Sequence, residues 1–68
     1  MKITYCSWEG DPAILVNYED GRIYGFWKPD GSDWKRGQDA DIATKAAVIG
    51  EAAFKKRWPD LALPTFPE

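Results

Sequence analysis

Between residues 2 and 36 runs of largely apolar residues are separated by three short polar clusters that carry acids with glycine or proline. The interrupted runs are KITYCSW from Lys2, PAILVNY from Pro12 and RIYGFW from Arg22, with SDWKR from Ser32 as a weaker fourth. Each is rich in β-branched and aromatic side chains, and the intervening EGDP, YEDGR and KPDGS place Asp and Gly where hairpin turns need them. An antiparallel meander follows. A two-residue turn at Gly10–Asp11 and three-residue loops at the later turns set Tyr5 opposite Val16, Val16 opposite Tyr24, and Phe26 opposite Trp34. Because successive strand residues point to opposite faces, one face then carries Ile3, Tyr5, Ile14, Val16, Tyr18, Tyr24, Phe26 and Trp34, with Arg22 at its edge. The other carries Cys6, Trp8, Ala13, Leu15, Ile23, Gly25 and Trp27. A type I′ turn at Asp20–Gly21 is the competing geometry; it exchanges Tyr24 and Phe26 with Ile23 and Trp27. Under either register both faces are apolar.

After Gly37 the period lengthens. Ile42, Ala43, Ala46, Ala47, Ile49, Gly50, Ala53 and Phe54 form one helical stripe, with Thr44, Lys45, Glu51 and Lys55 opposite, which predicts one amphipathic helix of about four to five turns. Asp39 or Asp41 caps its start, Lys55, Lys56 and Arg57 suit its carbonyl end, and Pro59 stops it. Within this helix Gly50 costs about 1 kcal/mol against alanine, a cost expected to be offset by close approach to a large ring such as Trp27 or Trp8. The proline-rich segment beyond, PDLALPTFPE, is expected to run extended, with Leu61, Leu63 and Phe66 available as a strap. The expected fold is α+β: an antiparallel three- to four-stranded β-meander followed by one C-terminal amphipathic α-helix packed on one face, then an extended Pro-rich tail. Residues 1–58 form the single domain and residues 59–68 the tail.

One helix covers one face of such a sheet. The Cys6, Leu15, Ile23 and Trp27 face suits it, since that face has no phenols needing partners and Gly25 permits close approach. The tyrosine-rich face is then left for the tail, a second copy or a partner, because monomers seldom expose so large an apolar patch. Tyr5, Tyr18, Arg22, Tyr24, Phe26, Trp34, Lys35 and Arg36 are accordingly the candidate binding residues, being aromatic and basic types enriched at interface centres.

Composition trims the list of functions. The chain has 68 residues, room for one domain, and the core of so small a fold supplies only about 3–5 kcal/mol unaided. Cys6 is the single cysteine and histidine is absent, so an internal disulfide and the usual zinc ligand sets are missing, and the thiol has no imidazole to activate it. The alternating polarity of residues 1–8 does not resemble a secretory signal, which points to a cytoplasmic setting. Asp30, Asp33, Asp39 and Asp41 lack the spacing of a calcium loop and read as turn and cap residues. No catalytic constellation, cofactor motif or metal site is expected, and no apolar run is long enough to span a bilayer. Nine basic and eleven acidic residues give a net charge of −2, which disfavours a general affinity for nucleic acid. The expectation is a small non-catalytic protein-binding module, a regulator or inhibitor of a larger protein or a homodimer. The competing expectation is a single-stranded nucleic-acid binder that stacks bases on the same rings between Lys and Arg.

Overall fold

The computed structural model describes residues 1–67. Five strands form one antiparallel sheet in the order β4-β3-β2-β1-β5, where β1 is Lys2–Trp8, β2 Asp11–Asn17, β3 Ile23–Trp27, β4 Lys35–Arg36 and β5 Ala47–Val48. Two short helices, α1 (Asp39–Lys45) and α2 (Glu51–Arg57), flank β5 in the chain. The α+β class and the antiparallel meander of β1 to β4 agree with the sequence pattern; the sheet has five strands instead of three or four, and the single C-terminal helix is replaced by two.

Strand pairing shows how local turn chemistry sets register. The β1–β2 turn uses Glu9 (φ 53°) and Gly10 (φ 83°) rather than Gly10–Asp11, a pair of positive φ values that defines the primed two-residue hairpin. Tyr5 therefore lies opposite Ile14, not Val16. The partner changes by two residues, so every side chain keeps its expected face. The β2–β3 loop is closed by hydrogen bonds from Gly21 N–H to the Tyr18 carbonyl (3.1 Å) and from Tyr18 N–H to the Arg22 carbonyl (2.9 Å), and Val16 faces Tyr24 as expected. The third connection is longer than a tight hairpin. Ser32 N–H closes a turn on the Pro29 carbonyl at 3.1 Å, the Lys28 ammonium donates to the Ser32 carbonyl at 2.7 Å, and Phe26 lies opposite Arg36 instead of Trp34.

The predicted long helix is broken at its centre. Ala46 leaves α1 with extended dihedrals (φ −73°, ψ 147°), and Ala47 and Val48 pair with Ser7 and Cys6 of β1. Ile49 and Gly50 then both donate their N–H groups to the Tyr5 carbonyl, at 3.0 and 3.2 Å. Val48 and Ile49 are β-branched and favour extended backbone, while Gly50 stands at φ 84° immediately before α2. An added Cβ at Gly50 meets nothing within 4 Å, so this glycine serves backbone conformation and not the approach of Trp27 or Trp8. Ala43, Ala47 and Ala53, placed on the buried stripe by the helical pattern, are exposed.

The break delivers one helix to each face. On the first face α1 sets Ile42, 1% exposed, against Cys6 and Ala13, with Trp8, Leu15 and Trp27 around them. Gly25 makes this packing possible: a Cβ there would lie 2.9 Å from Asp39 Cα and 3.0 Å from Ile42 Cδ1. Neither Asp39 nor Asp41 caps α1; its N-cap is Gln38, with no side-chain cap bond. The Asp39 carboxylate instead accepts the Gly25 N–H, and Asp41 pairs with Lys45 at 3.6 Å. On the second face Phe54 of α2, 2% exposed, joins Ile14, Val16 and Phe26, and Leu61 and Phe66 from the segment after α2 pack beside it. Residues 61–67 carry no helix or strand. The tyrosine-rich face is thus covered by α2 together with this segment, whereas the expectation gave it no helix and left it to the tail, a second copy or a partner.

Two substitutions test this arrangement. Gly25→Ala should lower stability by about 1–3 kcal/mol through overpacking against the Asp39 backbone, read as a reduced urea midpoint at unchanged m-value. Gly50→Ala separates the broken from the continuous helix by sign: φ 84° predicts a loss of about 1–2 kcal/mol, whereas a glycine inside a helix predicts a gain of about 1 kcal/mol.

Candidate functional site

The candidate residues divide into a cluster and two outliers. Tyr18 and Tyr24 meet edge to face at 5.6 Å between ring centroids, where β2 and β3 join. The Arg22 guanidinium lies 4.6 Å from the Tyr18 ring centre, and that of Arg36 lies 4.7 Å from Tyr24 and 5.5 Å from Phe26. Rings and guanidinium groups therefore alternate along the β3–β4 side of the sheet, an attraction of cation for ring face. Phe26 itself is 2% exposed and belongs to the core. Tyr5 stands apart on β1, tilted against Phe54 at 5.1 Å, its hydroxyl 3.5 Å from a Glu51 carboxylate oxygen. Lys35 stands apart for a different reason. It pairs with Trp27 while its neighbour Arg36 pairs with Phe26, so strand alternation sends Lys35 to the α1 face.

Trp34, half-buried, donates its indole N–H to the Ala62 carbonyl at 2.9 Å. Between the Trp34 segment and the chain after α2 lies an open groove of about 440 Å³ lined by Phe26, Asp33, Trp34, Arg36, Leu63, Pro64 and Thr65. Three of the candidate residues, Phe26, Trp34 and Arg36, converge on it. Asp33, Pro64 and Thr65 were not legible as site residues, because their role depends on where an irregular segment lies. Leu63, expected in the strap, is 37% exposed at the groove instead of packing on the sheet. Base stacking by the whole predicted set lacks free rings, since Phe26 is buried, Tyr5 lies against Phe54 and Arg36 occupies a position over Tyr24.

The charges are local. Asp20 accepts from the Arg22 backbone N–H at 3.1 Å and from its Nε at 2.7 Å; the backbone bond first, then the guanidinium, holds the carboxyl below its ordinary range. Lys55 at 2.8 Å lowers the Glu51 carboxyl in the same way and is itself raised by it. Arg36 and Lys35 have no ion pair among the described residues. Cys6 is wholly buried, its Sγ 3.7 Å from the Thr4 carbonyl, and burial pushes its thiol up, away from the thiolate form. Among the described residues no group of three metal-ligating side chains is arranged to hold an ion, and no helix is long and apolar enough to cross a membrane.

The chain matches no family model, no curated protein and no solved structure. What can be said of its function rests on this geometry.

A carboxyl whose folded pKa is depressed contributes stability that is complete above the unfolded pKa and is lost as pH falls through the folded one. Acid titration should therefore loosen the Asp20–Arg22 turn below about pH 4, seen as movement of the Arg22 amide resonance. Asp20→Asn should remove that movement while leaving the rest of the acid titration in place.

Proposed function

We propose that the protein is a small non-catalytic protein-binding module, a regulator or inhibitor that takes an extended segment of a larger partner into the groove beside Trp34. The observation that carries this reading is the groove itself: it joins an aromatic wall, an apolar rim from Leu63 and Pro64, the Asp33 carboxylate, and the Arg36 guanidinium, which has no ion pair among the described residues. Such a site suits a segment with an apolar side chain followed by a carboxylate, since Arg presents a planar fork matched to carboxylates. The tyrosine face is covered, so the groove replaces it as the contact surface.

Quantitative affinity capture from source-cell extract, with sedimentation across a concentration series, tests the reading. A captured species should fall at least about tenfold on Arg36→Glu, the size of a lost charge-assisted contact plus like-charge repulsion. Lys56→Glu, on the exposed side of α2, should leave it unchanged. Equal capture by both variants overturns the groove as the contact, and an Arg36-independent dimer at micromolar concentration would move the proposal to self-association.

A further inference from the structure

We infer that the aromatic surface beneath residues 62–67 binds proline-rich extended segments, that these residues occupy it as an internal ligand, and that a proline-rich segment of a partner takes their place. The inference rests on the binding-module reading but places the ligand on the surface under residues 62–67, so the groove rim of Leu63, Pro64 and Thr65 leaves with that stretch when a partner segment enters. The occupying stretch is ALPTFP, in which Pro64 and Pro67 are three residues apart, as are Leu63 and Phe66. Polyproline II has three residues per turn and would set each pair on one side; in the folded chain Phe66 packs on Phe26 while Leu63 is exposed at the groove. A residue before proline is driven to extended backbone, and that constraint acts here on both Leu63 and Phe66.

The way this stretch is held is the way such helices are recognised. Among the described residues, 62–67 make no backbone–backbone hydrogen bond; the last one before them joins Leu61 N–H to the Trp58 carbonyl at 3.3 Å. Their carbonyls are instead met by side-chain donors on the sheet side: the Trp34 indole N–H donates to the Ala62 carbonyl at 2.9 Å and the Tyr18 hydroxyl donates to the Pro67 carbonyl. Phe66 stands edge to face on Phe26 at 5.8 Å between centroids. A proline-containing segment with neither helix nor strand, lying on aromatic walls with indole and phenol donors aimed at its carbonyls, shares the aromatic-groove mode by which proline-rich peptides are recognised. None of these contacts depends on covalent continuity with α2, and an incoming segment of the same chemistry satisfies the same donors. The internal copy competes at high effective concentration, so the apparent affinity for an outside segment is lowered by the fraction of time the surface is open.

The test uses the full-length chain, with the Trp34 indole N–H resonance as the readout. The probe is the synthetic peptide DLALPTFP, residues 60–67 of this chain, and its control is the same peptide with both prolines replaced by alanine. Phe66→Ala in the protein weakens the internal ligand and should tighten binding of the proline peptide by about tenfold over the unsubstituted chain, with the control peptide at least about tenfold weaker than the proline peptide. Pro64→Gly, which loosens the internal ligand without touching the Phe26 contact, carries the same expectation, so a folding failure of Phe66→Ala leaves the test intact. A folded variant whose Trp34 resonance the peptide does not move, or one that takes both peptides alike, overturns the inference. If that happens while Arg36→Glu still abolishes partner capture, the groove stands and only the proline-rich class falls.

Discussion

The Tyr5 carbonyl accepts two backbone hydrogen bonds, from Ile49 and from Gly50, and the rest of the fold turns on that anchor. It lies on the outer side of β1, where the chain passes from one face of the sheet to the other. Without it residues 39–57 have the composition of a continuous helix, which covers a single face and leaves the other in water. With it, seven residues of α1 cover Cys6 and Ala13, and seven of α2 bring Phe54 onto Ile14, Val16 and Phe26. Neither helix is long enough to be stable alone in water. Each is held by the apolar side chain it buries, Ile42 or Phe54, and the sheet in turn is shielded by both.

The two faces are packed by different means. On the α1 face the backbones come close because Gly25 has no side chain, and Asp39 takes the Gly25 N–H, bringing the start of α1 onto β3 beyond the end of β4. Ile42 and small residues form the centre of that face, and the Trp8 and Trp27 rings meet edge to face beside them at 4.8 Å between centroids. On the α2 face large rings meet one another: Tyr5 with Phe54, Phe54 with Trp58, Tyr18 with Tyr24, and Phe26 with Phe66. Ring edges against ring faces tolerate many orientations better than backbone contact does. The regular helix therefore suffices for part of this face, and an irregular segment completes it.

That difference bears on function. A surface closed by interlocked backbone cannot be exchanged without unfolding the domain, whereas one closed by an irregular segment, held by side-chain donors and two apolar plugs, can open locally at low cost. The exposed guanidinium of Arg36 and the groove beside Trp34 lie at the border between the permanent and the exchangeable cover. The molecule carries a net charge of −2, and this border sets one acid, Asp33, beside one base, Arg36. Recognition here is a property of local geometry and not of overall composition.

Strand alternation alone divided the side chains between the faces, and it did so correctly even where the turn was misplaced, since moving the β1–β2 turn from Gly10–Asp11 to Glu9–Gly10 shifts each partner by two and preserves parity. Gly25 as the point of close helix approach was legible for the same reason: a glycine amid large residues on one face has few other uses. The break in the helix was not. Alanines on both sides of Val48-Ile49-Gly50 sustain a helical pattern, and the β-branched pair and the glycine weigh against it by only about 1 kcal/mol or less apiece. The hydrogen bonds that tip the balance come from β1, some forty residues earlier in the chain. The same holds for the groove, whose walls are Trp34 and Pro64. Local periodicity settles which way a side chain points. Which distant backbone competes for a given N–H is settled only when the whole chain has collapsed around it.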